Sequence, residues 1–216
     1  MSGNNKPIRI AVNLMRARLT VIGFNIAIVS FQIAQLPRIT GGVNIPGIEH
    51  PLHLTAGVEL YMALALSLIA IIAFIMSSEF DEVGTCTQWT LIAGDLLMYL
   101  ALAYTIAGFF APLGGSIRNV AANLPGHPEQ TLILQKSVLI AGGIAWFLAM
   151  YIGPLISLIR SPFPQITNLS LGIGYISLVL LLSWVNSQAV LIEISSGSFL
   201  FEPGMVLREL TQPLRW

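Results

Sequence analysis

An all-α integral membrane protein, a polytopic bundle of about five spanning helices, is the fold class this sequence predicts. Three observations predict it. Of 216 residues, 55% are hydrophobic and 9% charged, with a mean hydropathy of +0.80, a composition of the integral-membrane class. The apolar residues gather in runs of about 20, enough to cross roughly 30 Å of hydrocarbon at about 1.5 Å per residue. No stretch between the runs is long enough to bury a core of its own.

The clearest run is 52–76, LHLTAGVELYMALALSLIAIIAFIM. Its only charged or imidazole side chains are His53 and Glu59, both near the start. Pro51 suits a first helical turn, where a missing N–H costs nothing. Ser77 and Ser78, then Glu79, Asp81 and Glu82, end the run. A helix of a soluble core carries a polar stripe along its length, and this one has none.

The other elements follow in chain order. Residues 1–18 hold Lys6, Arg9, Arg16 and Arg18, no acid, and interleaved Ile8, Ile10, Val12, Leu14 and Met15. That pattern predicts a basic amphipathic segment lying at the headgroups. Residues 19–36 form the most polar span; Asn25, Gln32 and Gln35 share one face, as amides that bond a neighbouring helix do. Pro37 and the Gly41-Gly42 turn end it. Span 89–111 encloses Asp95 and is closed by Pro112, Gly114 and Gly115. A polar loop over 116–135 leads to span 136–159, stopped by Arg160, Pro162 and Pro164. Span 168–192 ends near Asn186, Ser187 and Gln188. The 193–216 tail is polar with scattered Phe199, Phe201, Leu207, Leu214 and Trp216, and is expected to rest at the membrane surface. Four basic residues ahead of the first span favour a cytoplasmic N-terminus.

Ser137, Ala141, Ala145, Ala149, Gly153 and Ser157 fall every four residues along the fourth span. Small residues at that spacing make a ridge where another helix can approach closely. Glu59 lies on a line with Thr55, Ala63 and Ser67, and Asp95 with Tyr99, Ala103, Ala107 and Ala111. Each acid is therefore expected to face protein or water, because a charge facing lipid costs several kcal/mol, about 3.

Function is less constrained. Basic residues are dispersed and formal net charge is zero, which excludes a nucleic-acid footprint. Nothing resembles an activated nucleophile, a Walker loop or a dinucleotide fingerprint, so catalysis is not the expected role. The leading expectation is a non-catalytic subunit or scaffold of a larger membrane assembly, with lipid and other subunits or further copies of the chain as partners. The alternative is a small ion- or proton-conducting channel or transporter using Glu59 and Asp95, with His53 near its mouth. The two acids start antiparallel helices, so they are expected near opposite faces, roughly 15 Å or more apart in depth, as stations of a path and not a dyad. A third possibility is a metal- or haem-binding redox subunit, with His50, His53 and His127 on one side as ligands and Glu49 and Glu129 beside them. Such a cofactor is not favoured, because His-x-x-His recurs by chance. Trp89 and Trp216 read as interfacial anchors, Trp146 and Trp184 as deeper packing residues.

Overall fold

The computed structural model describes residues 8–9, 12–39, 42–43, 47, 49, 51–78, 85–86, 88–123, 128–194 and 203–216. Among them the architecture is an all-α bundle with five helices long and apolar enough to cross a membrane. The helices are α1 (Val12–Gln35), α2 (Leu54–Ser78), α3 (Thr90–Asn123), α4 (Pro128–Phe147), α5 (Gly153–Ile159), α6 (Gln165–Ile194) and α7 (Pro203–Glu209). A wide π turn, Leu148–Ile152, joins α4 to α5 as one continuous span. One antiparallel bridge, Ile8 with Cys86 and Arg9 with Thr85, ties the start of the chain to the approach to α3.

The bundle is built on α2 and α3, its most extensive helix pair. The inner face of α2 repeats small and large residues at helical spacing: Ala56, Leu60, Ala63, Ser67, Ala70 and Phe74 are all buried. Two glycines of α3 admit the large ones. A Cβ on Gly108 would sit 2.8 Å from Leu60 Cγ, and one on Gly94 would sit 2.9 Å from Phe74 Cε1. Close backbone approach is what glycine contributes to membrane helix pairs, where packing replaces the hydrophobic drive.

Several boundaries differ from the sequence expectation, each for a physical reason. The first helix begins at Val12, so Arg16 and Arg18 belong to a spanning helix. Helix α3 runs through Pro112 to Asn123, and the expected 116–135 loop shrinks because α4 already begins at Pro128. Proline removes one helical hydrogen bond, a loss that membrane helices tolerate when neighbours satisfy the freed group. Gly114 is not a terminator; it gives room to Trp216, whose carbonyl carbon lies 3.0 Å from a Cβ built there.

The α4–α5 span shows how such a freed group is satisfied. Pro154 has no N–H for the Met150 carbonyl one turn back. Tyr175 of α6 supplies the missing donor, its hydroxyl 2.6 Å from Met150 O. The π turn also breaks the four-residue register of the small-residue ridge. Ala149 is buried, Ala145, Gly153 and Ser157 are half-buried, and Ser137 and Ala141 are exposed. The face packed on α3 is instead Gly142, Trp146, Ala149 and Gly153. A Cβ at Gly142 or Gly153 would lie 2.6 Å from Phe110 or Tyr99 respectively.

Residues 203–216 do not rest outside the bundle. Trp216, expected to anchor at the interface, is buried and stacks on Phe110 with ring centroids 5.8 Å apart. Tyr151 holds the segment by donating to Leu210 O at 2.7 Å. Gly114, Gly142 and Gly143 form the socket that receives Pro213 and Trp216.

Candidate functional site

The refolded segment places a second carboxylate beside Glu59. Glu59 sits on the buried face of α2, Asn186 on that of α6, Glu209 at the end of α7, and Gln212 in the short helical turn after it. All four are buried. Asn186 Nδ2 donates to Glu59 Oε1 at 3.0 Å and to Glu209 Oε2 at 2.6 Å. Gln212 Nε2 donates to the same two oxygens, at 2.9 and 2.7 Å.

The result is a closed ring in which carboxylate acceptors alternate with amide donors. Both hydrogens of each amide are used. Amide hydrogens diverge by roughly 120°, which sets the two carboxylate oxygens about 4–5 Å apart. At that separation, away from bulk water, two full negative charges repel strongly. The two amides orient the pair, and Arg118 lines the same cavity. Asn186 Oδ1 is buried with no hydrogen-bond partner among the described residues.

Two adjoining cavities lead to the ring. The inner one, about 210 Å³, is lined by Thr55, Glu59, Arg118, Glu209, Gln212 and Trp216. The outer one, about 390 Å³, is lined by Gly42, His53, Thr55, Arg118, Asn119 and Glu193. Thr55, Ala111, Gly115 and Arg118 belong to both walls, so the two adjoin as a partly polar vestibule. Glu193 of α6 shapes its floor by capping α2: Thr55 N donates to Glu193 Oε2 at 3.0 Å, and the Thr55 hydroxyl bonds the same oxygen. A carboxylate at a helix N-terminus satisfies open N–H groups and the dipole together. Gly42 lines the rim with φ +86, and a Cβ there would meet Leu52 O at 2.8 Å, so both conformation and space call for glycine.

His53 stands at the vestibule, with Nε2 3.0 Å from Ile39 O. A carbonyl only accepts, so this ring nitrogen carries the proton. His50 and His127 lie outside the described residues. Among the described residues, no three His, Cys, Asp or Glu side chains converge as metal ligands.

Asp95 takes a different partner. Arg18 reaches from α1 with Nη2 2.5 Å from Asp95 Oδ2, and its guanidinium lies 5.7 Å from the Phe74 ring centroid. Nearby Asn25 Nδ2 donates to Ser67 Oγ at 2.9 Å, joining α1 to α2. Between Glu59 and Asp95 the interior is mainly apolar, with Leu60, Ala63, Leu66, Leu100 and Ala103 buried in one cluster, and the Asn25–Ser67 bond lies within it. The structure therefore gives the two intramembrane acids separate surroundings.

Asn186, Glu209 and Gln212 were not recognised as site residues in the sequence. The signal available was the spacing of Glu209, Gln212 and Trp216, three and four apart behind Pro203, which marks one face of a short helical segment. No family model matches the sequence, and neither a curated protein nor a solved structure shows significant similarity to it.

Proposed function

We propose that this chain is a small proton-translocating membrane protein, with Glu59 and Glu209 as the proton-carrying pair. The observation that carries the reading is the doubly bridged carboxylate pair at the base of a partly polar vestibule. An intramembrane acid that faces a cavity is by default a functional-site hypothesis, commonly in an ion or proton path. In this reading one carboxyl of the pair takes up the proton while both amide bridges stay in place. A metal cation would face the four N–H donors that already occupy the space between the oxygens. Asn186 Oδ1 offers an acceptor to the water that delivers the proton.

The partner of Glu59 in this reading is Glu209, and not Asp95. Asp95 is paired with Arg18, with a mainly apolar layer between it and Glu59. In liposomes carrying the purified protein, acid-driven proton uptake is expected to fall at least tenfold in both Glu59→Gln and Glu209→Gln. Wild-type uptake in both variants would end the reading.

A second reading, a non-catalytic subunit of a larger assembly, is favoured by one observation. Ser137 and Ala141, a third of the small-residue row, are exposed on the outside of α4. Ala141→Leu tests it, because that change touches no buried contact in the chain. A native particle that keeps its size and composition in this variant would count against a partner helix there.

A further inference from the structure

A second cavity lies on the flank of the bundle, independent of the acid pair. It is a groove of about 590 Å³ between the first half of α3 and the first half of α6, with Trp89, Ala93 and Leu97 on one wall and Ile166, Gly174 and Leu178 on the other. Both helices begin at the same end of it, so its mouth lies where the chain enters the apolar layer. From Ile166 to Leu178 is roughly 18 Å along the helix, close to one leaflet of a hydrocarbon core about 30 Å thick. Spread over that length, the volume leaves a mean cross-section of roughly 33 Å², well below the roughly 80 Å² of a helix 10 Å across. A single extended hydrocarbon chain matches that section, whereas a helix could lie only across the groove and not within it.

The polar groups are confined to one end. Trp89, 53% exposed, is the residue type enriched at the boundary of the apolar layer, and the Thr167 and Ser170 hydroxyls line the same end of α6. Deeper in, Tyr175 presents only its ring, because its hydroxyl is bonded to Met150 O. We infer that this groove is a binding site for one acyl chain of a membrane phospholipid, with the ester and headgroup at the Trp89–Thr167 mouth.

Gly174 provides the test. A Cβ there meets nothing within 4 Å, so a leucine at this position has room to start into the groove. Gly23 on α1 is an equally open glycine remote from the groove, and Gly23→Leu is the matched control. Native mass spectrometry of protein extracted in mild detergent and washed free of loose lipid is expected to show about one phospholipid per wild-type chain. Gly23→Leu should retain it, and Gly174→Leu should lose at least four-fifths of it. Equal retention in all three proteins, or none in wild type, would overturn the assignment. So would a polyprenoid, a pigment or a protein as the species that Gly174→Leu displaces. The proton-uptake assay is a separate readout, so either proposal can fail alone.

Discussion

Glu59 and Glu209 accept hydrogen bonds from the same two amide nitrogens, one from Asn186 and one from Gln212. Glu59 belongs to a spanning helix and Glu209 to a segment folded back from outside the spans. The site is therefore assembled only when residues 203–216 are docked. On the proposed function, packing and proton transfer meet at one place in the fold.

That coupling makes Trp216 more than a packing residue. Trp216→Ala removes the ring stacked on Phe110, a loss of about 3–5 kcal/mol for a buried tryptophan. Residues 203–216 should then exchange amide hydrogens faster, and proton uptake should drop although both acids remain. Unchanged exchange over this segment would show that the docking is held elsewhere.

Arg18 and Asp95 form a partly buried ion pair between α1 and α3. Removing one member strands the other charge, a change that costs about 3–5 kcal/mol in buried pairs. Arg18→Met should therefore lower the unfolding midpoint in detergent clearly, and adding Asp95→Leu should restore much of the loss. A double variant no more stable than Arg18→Met would show that the pair is not the relevant contact.

The glycines of α4 and α5 are expected to differ sharply from those on the outside. Gly142→Ala and Gly153→Ala place a methyl 2.6 Å from the Phe110 and Tyr99 rings, and overpacking of this kind costs about 1–3 kcal/mol. Gly23→Ala, facing open space, should be neutral or slightly stabilising because alanine is the better helix former. Thermal unfolding of the three variants side by side checks the order.

Tyr175→Phe tests the repair of the helix at Pro154. Without the hydroxyl, Met150 O loses its donor, and a buried unsatisfied carbonyl costs about 1–3 kcal/mol. The expected readout is a lower unfolding midpoint together with faster exchange around 148–156. An unchanged midpoint would mean that another donor reaches that carbonyl.

Much of the fold was legible because hydrophobic runs of spanning length have one interpretation. Run 52–76 became α2 with little change, and five helices of spanning length are present. What was not legible depended on residues that serve two roles. Pro112 and Gly114 read as a helix end because proline and glycine usually mark one, but within a bundle Gly114 admits Trp216. The polarity of 193–216 suggested a surface tail. Glu209 and Gln212 are buried all the same, because they find their complements in Asn186 and Glu59. A single sequence lists such groups without showing that they meet. Glu59 and Asp95 stood out because acids are rare in apolar runs, whereas Glu209 lay in a segment where an acid is ordinary.

The most direct test of the proposed proton-carrying pair is infrared difference spectroscopy of the reconstituted protein between acidic and alkaline pH. If the proposal holds, a carboxylic-acid C=O band converts to carboxylate, is lost in both Glu59→Gln and Glu209→Gln, and persists in Gly23→Leu. A band that survives unchanged in both glutamine variants would contradict it.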